Sequence, residues 1–229
     1  HLRAEMLKYL RGMFAFAIWD ARKQELFVAR DRLGKKPLFY RFEKGTLRFC
    51  SEMAPLIESR EIDPEALLAY LVFGYVPNPR TMLRDISKLP PAHYLTWKRG
   101  EIRIQRYWAI GERKRIAADF TEACEMVRDK IDESIRIRLR SDVPLGLLLS
   151  GGLDSNAILA RLARGLGQKV KTFTIAFSEK AYDESDLARA SARHFGAEHH
   201  ELVGSTDLLK LLPEVVRHYG EPFADKSAL

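Results

Sequence analysis

The sequence predicts two unlike parts, an α+β front built on antiparallel strands and an α/β rear built on a parallel sheet. Three observations predict this. Short aromatic and β-branched runs, separated by turn residues, fill positions 12–50 with no helical period between them. From position 119 onward, apolar runs alternate with segments of helical period in the order strand, helix, strand, helix, strand. The composition, 46% hydrophobic and 30% charged over 229 residues, is that of a folded chain rather than a disordered one, and the length allows two units.

The front elements follow in order. Residues 13–19 are aromatic-rich and stop at a polar turn of Asp20, Ala21, Arg22 and Lys23. Residues 25–30, 37–42 and 46–50, the last two separated by Lys44-Gly45, complete an expected antiparallel meander. Asp63-Pro64-Glu65 starts a helix, with an N-cap followed by proline at the first helical position. Leu67, Leu68, Leu71 and Val72 share one of its faces. Pro77, Pro79, Pro90 and Pro91 then punctuate loop and short strand. Residues 93–97 and 102–108, around a turn at Lys98-Arg99-Gly100, predict one more hairpin. Residues 109–118 are polar and basic and predict a linker.

The rear opens on Asp119 and Glu122, spaced as a capping box. Phe120, Cys124, Val127, Ile131, Ile135 and Leu139 recur every three to four residues, which predicts a helix with one buried face. Arg136, Arg138 and Arg140 suit the negative end of its dipole. Residues 143–149 are almost continuously apolar, as expected of a strand buried on both faces. Residues 156–166 predict a helix with Ile158, Leu159, Leu162 and Leu166 in register, and residues 170–177 a second strand. A helix over 186–195 ends at Gly196, a third strand covers 199–203, and a helix over 208–219 ends at Gly220.

Charge and cysteine content remove some functions. The net charge is +7, but residues 1–60 carry 13 basic and 7 acidic side chains, whereas residues 121–229 carry 15 and 17. The excess sits at the front, with no basic stripe and no zinc-finger spacing, so no nucleic-acid partner is expected. Two cysteines in separate segments make no disulfide framework; both Cys50 and Cys124 are expected to be buried thiols in a reducing cytosol, and the localisation expected is cytoplasmic. No apolar run approaches the ~18 residues of a membrane span, so no membrane partner is expected. His1-Leu2-Arg3-Ala4-Glu5 and Asp225-Lys226-Ser227-Ala228-Leu229 both read as the interior of a longer chain.

The chemistry concentrates in Ser150-Gly151-Gly152-Leu153-Asp154-Ser155, between a strand and an amphipathic helix. Ligands of open parallel sheets bind beyond the carboxyl ends of the strands. A helix N-terminus there offers unpaired N–H groups and a positive dipole, and consecutive glycines let the backbone approach a phosphate. Asp154 would repel a bare phosphate, but magnesium resolves this by bridging a carboxylate and phosphate oxygens. There is no Gly-Lys-Ser/Thr, so the loop is not of the Walker A type.

Other groups weigh less. His199 and His200 are adjacent on a strand and so point to opposite faces, which disfavours a shared metal. Arg30-Asp31-Arg32 reads as a salt-bridged turn, Asp183-Glu184 as a cap for the helix that follows rather than as magnesium ligands, and Lys35-Lys36 as a solvated turn.

The hexapeptide resembles the SGGxDS signature of the PP-loop ATP pyrophosphatases. Arg11-Gly12-Met13-Phe14-Ala15-Phe16-Ala17-Ile18-Trp19-Asp20, Arg30-Asp31-Arg32-Leu33-Gly34-Lys35-Lys36-Pro37 and Ser51-Glu52-Met53 narrow the likeness to the glutamine-hydrolysing asparagine synthetases. Gly74-Tyr75-Val76-Pro77, Lys88-Leu89-Pro90-Pro91, Val143-Pro144-Leu145-Gly146, Tyr182-Asp183-Glu184-Ser185 and Glu221-Pro222-Phe223-Ala224-Asp225 are similar to the same family.

The resemblance implies part of an Ntn-hydrolase glutaminase fold, followed by an α/β parallel-sheet ATP-pyrophosphatase domain of the adenine nucleotide alpha hydrolase type. It places the C-terminal part of the glutaminase domain at residues 1–60, an extension of it at 61–108, a linker at 109–118, and the N-terminal half of the ATP-binding domain at 119–229. It implies ATP- and glutamine-dependent amidation of aspartate to asparagine, with ATP, magnesium, aspartate and glutamine as small-molecule partners, and it allows a homodimer. Leu149, Ser150, Gly151, Gly152, Leu153, Asp154 and Ser155 would hold ATP, Asp154 the magnesium, and Ile175 the adenine through its backbone. The glutaminase cysteine and the later synthetase residues of the family have no counterpart in this sequence, so catalytic residues are unassigned and this chain alone is expected to be inactive. Two alternatives stand beside this reading: a related amidotransferase or β-lactam-synthetase-like enzyme with another acceptor, and a non-catalytic nucleotide-binding protein.

Overall fold

The computed structural model describes residues 3–111, 116–177, 183–204 and 208–224. His1, residues 112–115 of the expected linker, Tyr182 and Asp225 lie outside them. Two compact units form, one from residues 1–112 with 207–229 and one from residues 113–206.

The first unit contains β1 (Ala15–Asp20), β2 (Glu25–Arg30), β3 (Phe39–Glu43), β4 (Thr46–Cys50), α1 (Pro64–Phe73), β5 (Ser87–Lys88), β6 (His93–Lys98) and β7 (Glu101–Arg106). The hairpins are those the turn residues predict, with β1 on β2, β3 on β4 and β6 on β7 all antiparallel. The expected single meander is corrected: the strands form two sheets, ordered β1-β2-β6-β7 and β4-β3-β5. Hairpin pairing is local, whereas the choice of outer neighbour depends on which faces bury together. β2 lies between β1 and β6 and is covered on both faces. Val28 and Leu95 pack with Leu38 and Leu89 on one side, and Phe27 and Ala29 with Leu7 on the other.

Asp63 caps α1 by accepting from the Glu65 N–H at 3.0 Å, and Gly74 ends it in a left-handed conformation at φ 76°. The apolar face read from the sequence lies open. Leu67, Leu68, Leu71 and Val72 are exposed, and α1 packs through Ala66 and Tyr70 against Val76 and Met82. Helical spacing identifies an apolar stripe but not what covers it.

The Arg30-Asp31-Arg32 turn also differs from the expected ion pairing. The buried Arg30 guanidinium donates to the carbonyls of Lys36, Gly34 and Leu89 at 2.8, 2.9 and 2.6 Å. The Asp31 carboxylate accepts from the N–H groups of Leu33, Lys35, Lys36 and Phe14. Burial pushes the Asp31 carboxyl up, but the amides of Lys36, Lys35, Leu33 and Phe14 together hold it below the ordinary carboxylate value.

The second unit contains α2 (Phe120–Arg138), β8 (Leu147–Leu148), α3 (Leu153–Ala160), β9 (Lys171–Phe177), α4 (Ser185–Phe195) and β10 (Glu198–Gly204). Its three strands are parallel in the order β10-β9-β8. Ile135, Leu149, Leu159, Leu162, Val170, Ala188 and Ala192 form the core, drawn from α2, α3, α4 and the sheet. The capping box is present in full. Asp119 Oδ1 accepts from the Glu122 N–H at 2.9 Å, and Glu122 Oε2 from the Asp119 N–H at 3.1 Å.

Three expectations fail here. Along α2 the core reaches only Ile131 and Ile135, while Phe120, Cys124 and Val127 are exposed. Cys124 is therefore not a buried thiol, and Cys50 is half-buried beside Met53. The apolar run 143–149 is not a strand buried on both faces. Only Leu147 and Leu148 pair, at the edge of the sheet, and Leu148 is 79% exposed. The helices cover one face of this sheet, so burial along β9 alternates, with Thr172, Thr174 and Ala176 inside and Phe173, Ile175 and Phe177 outside.

The tail helix α5 (Leu208–Tyr219) groups with the first unit. Beyond it Glu221 accepts from the Met82 N–H at 3.1 Å and pairs with Lys88, and the Ala224 N–H donates to the Gly74 carbonyl at 2.9 Å. Among the described residues no helix is long and apolar enough to cross a membrane.

Candidate functional site

The predicted loop stands at the carboxyl end of β8. Leu149 is 3% exposed and fixes its entry. Its N–H donates to the Phe173 carbonyl at 2.9 Å, and its carbonyl accepts from the Thr174 hydroxyl at 2.6 Å. The chain thus leaves the sheet from a pinned residue.

From there the loop is organised by its own side chains. The Ser150 and Ser155 hydroxyls lie 3.0 Å apart. The Ser150 N–H donates to Ser155 Oγ and the Gly152 N–H to Ser150 Oγ, each at 3.2 Å. Asn156 Nδ2 donates to the carbonyls of Ser150 and Gly152 at 3.1 and 2.7 Å. The Ser150 and Gly152 carbonyls and the Ser150 and Gly152 amides are thus all satisfied within the turn.

Gly152 is the N-cap of α3 and has no side chain with which to cap it. The first amides of α3 therefore have no capping acceptor from their own N-cap, and their partial positive charge is open to an anion. A Cβ at Gly151 would stand 2.9 Å from Leu187 Cδ1 and 3.1 Å from Leu187 Cβ, so a larger residue there would require the Leu187 side chain to shift. Asp154, in the first turn of α3, is exposed and makes no ion pair among the described residues.

Ile175 lies on β9, 57% exposed on the open face. Its backbone carries the interest. The Phe173 carbonyl points toward β8, since it accepts from Leu149, and alternation sends the Ile175 N–H and C=O the same way. The β8 ladder ends at Leu148 opposite Phe173, so both groups look past the end of that strand. The structure thus places Leu149 to Ser155 and the Ile175 backbone at the carboxyl end of one parallel sheet.

Three residues outside the predicted set shape the loop. Asn156 follows the motif directly. Thr174 carried a faint signal, a hydroxyl residue on the inward parity of β9. Glu184 was singled out only as a helix cap or magnesium ligand, and its contact with the loop spans 33 positions: its Oε2 accepts from the Gly151 N–H at 2.9 Å. Asp183 alone acts as the expected cap of α4. It accepts from the Ser185 N–H at 3.1 Å and from the Ser185 hydroxyl at 2.9 Å, and these bonds hold its carboxyl below the usual range.

Beneath the loop, Arg161 grips Asp132 through two bonds of 2.7 and 2.6 Å, tying α2 to the turn that ends α3. The hydrogen bond from Arg161 lowers the Asp132 carboxyl pKa. The histidines do separate. His199 meets Thr172 Oγ1 at 2.8 Å and Glu201 at 3.1 Å on one face, while His200 stacks on Phe173 at 5.1 Å on the other. Among the described residues no three His, Cys, Asp or Glu side chains converge as metal ligands. A cation at Asp154 would take this one carboxylate from the protein and its remaining ligands from phosphate and water, a donor set that suits magnesium.

A glutamine amidotransferase domain model matches residues 2–108, and an asparagine synthase model matches residues 126–229. The asparagine synthetase [glutamine-hydrolyzing] 1 of Bacillus subtilis is 34% identical over 234 residues, covering 100% of this chain and 37% of that protein. A putative asparagine synthetase [glutamine-hydrolyzing] of Mycobacterium tuberculosis H37Rv is 37% identical over 240 residues, covering 98% and 36%. Amidase chry2 of Gibberella zeae is 31% identical over 219 residues, covering 87% and 32%. The chain spans about a third of the length of the curated relatives it matches. An amidotransferase segment followed by a synthase segment, in one chain and at this identity, places it in the family of glutamine-hydrolysing asparagine synthetases.

Proposed function

We propose that this chain serves ATP- and glutamine-dependent amidation of aspartate to asparagine, and that the loop from Leu149 to Ser155 holds the polyphosphate. In this reading ATP transfers its adenylyl group to the aspartate β-carboxylate and releases pyrophosphate, and ammonia drawn from glutamine then displaces AMP. The activation is needed because a carboxylate is a poor electrophile and AMP a good leaving group.

The observation that carries the reading is the uncapped start of α3 beside the exposed Asp154, reached from a pinned Leu149. Backbone amides would take the phosphate oxygens and Asp154 a magnesium ion, which when bound supplies charge neutralisation between carboxylate and phosphate. The Ile175 backbone would read the adenine edge. Residues 1–108 would contribute glutaminase scaffold, residues 109–118 a linker, and residues 119–229 the front of the ATP-binding domain. The reaction would be cytoplasmic, and a homodimer is the assembly proposed.

The amidase among the relatives favours one second reading, the same chemistry with a different acceptor. Thermal shift and calorimetry test the site. Mg-ATP and AMP should both raise the melting temperature of the chain, by up to ~2.7 kcal/mol of added stability at a hundredfold excess over Kd. Asp154→Asn should weaken Mg-ATP binding by about tenfold while changing AMP binding little. Equal losses for the two nucleotides would remove the metal role, and no shift with either would remove the site.

A further inference from the structure

Glu184 sits immediately before α4, where a side chain ordinarily caps the helix, yet it does not cap. Asp183 has taken that task, with Oδ1 on the Ser185 N–H and Oδ2 on the Ser185 hydroxyl. The Glu184 carboxylate turns instead to the loop and accepts from the Gly151 N–H at 2.9 Å.

That amide differs from its neighbours. The Ser150 and Gly152 N–H groups are satisfied within the loop, by Ser155 Oγ and Ser150 Oγ. The Gly151 N–H reaches outside the loop, and an anionic oxygen receives it. Glu184 has no ion-pair partner among the described residues, and its carboxyl oxygen meets this amide instead. The approach is close, since a Cβ on Gly151 would meet Glu184 Cβ at 3.4 Å and Leu187 at 2.9 Å. A carboxylate oxygen on a backbone amide at the mouth of an anion cradle makes the demand that a phosphate oxygen would make.

We propose that the Glu184 carboxylate is an internal stand-in for a phosphate group, holding the Gly151 amide in the nucleotide-free chain and leaving it when polyphosphate binds. This rests on the reading of the loop as a nucleotide site. The consequence is regulatory. Each binding event breaks one charge-assisted hydrogen bond and brings a second negative charge up to the first, so Glu184 weakens ground-state affinity. It also keeps the loop in shape while empty, and it speeds product departure by competing for the amide that pyrophosphate vacates.

The test uses inorganic pyrophosphate with magnesium as the calorimetric probe, on the unaltered chain and on Glu184→Ala and Glu184→Gln. Removing one charge-assisted competitor should tighten binding by about threefold to tenfold in the alanine variant, and by less in the glutamine variant, whose carbonyl still accepts from the amide. Hydrogen exchange at the Gly151 amide, measured without ligand, should accelerate in the alanine variant. Unchanged pyrophosphate affinity would overturn the proposal, and weaker binding would overturn it by making Glu184 a ligand of the substrate or its metal. If neither the unaltered chain nor the variants bind pyrophosphate or ATP, the nucleotide reading itself falls and this proposal with it. Faster Gly151 exchange in that case would show the hydrogen bond to be purely structural.

Discussion

Thr174→Val tests how the loop is anchored. The Thr174 side chain is buried, and its hydroxyl donates to the Leu149 carbonyl at 2.6 Å. Valine keeps the shape and the β-branch but removes the donor. The Leu149 carbonyl, on a residue 3% exposed, is then left without that partner in the interior. An unsatisfied buried acceptor costs about 1–3 kcal/mol. The unit concerned spans residues 113–206, and in a domain of that size 1 kcal/mol moves the melting temperature by about 4–8 °C. A central cost of about 2 kcal/mol therefore lowers melting by roughly 8–16 °C.

The loss should also appear in function, because Leu149 sets the direction in which Ser150 leaves the sheet. Affinity for Mg-ATP should fall in Thr174→Val, measured by calorimetry below the melting range, and return in Thr174→Ser, which restores the hydroxyl. A valine variant that melts within about 3 °C of the parent and binds Mg-ATP equally well would refute the anchoring argument.

Other outcomes follow from the same geometry. Asp31 has a folded-state pKa below the ordinary 3.8, so its stabilisation is complete above that value and disappears as pH falls through the lower folded value. Asp31→Asn should therefore lower the urea midpoint near neutrality, and the gap to the parent should narrow as pH falls below 3.8 and on through the lower folded value; a gap independent of pH would refute the amide-held carboxylate. Leu159, fully buried on the inner side of the loop helix α3, should cost about 2–5 kcal/mol on truncation to alanine, read by urea denaturation, and a smaller loss would mean that the core collapses around the gap. Cys124 should react with a thiol reagent in the native protein well before Cys50, and equal rates would contradict their different exposure.

Much of the fold was written locally. Asp63 before Pro64, Asp119 with Glu122, and Gly74, Gly196 and Gly220 at helix ends act within a few residues of themselves, and each does in the structure what its chemistry requires. The hairpins followed from their turns for the same reason. The hexapeptide from Ser150 to Ser155 was legible because a strand, two glycines, an aspartate and a helix adjoin in sequence as they do in space.

What the sequence could not supply are the partners that faces and groups acquire from elsewhere. The apolar stripes of α1 and α2 were correctly located, but their burial was set by the limited reach of each core, so Leu68, Leu71 and Phe120 stand in solvent. The apolar run 143–149 announced a strand, yet its position at the sheet edge leaves Leu148 exposed. Asp31 and Arg30 look like an ion pair on paper, and in three dimensions each finds backbone groups that bind it in several directions at once. Glu184 came to Gly151, and Thr174 to Leu149, across 33 and 25 positions. The sequence by itself determined the elements, their caps and the glycine-rich turn between a strand and a helix from which a phosphate site is proposed, because those depend on neighbours along the chain. The tertiary structure alone decided which surfaces close and which carboxylate guards the loop, because burial and long-range hydrogen bonds depend on neighbours in space.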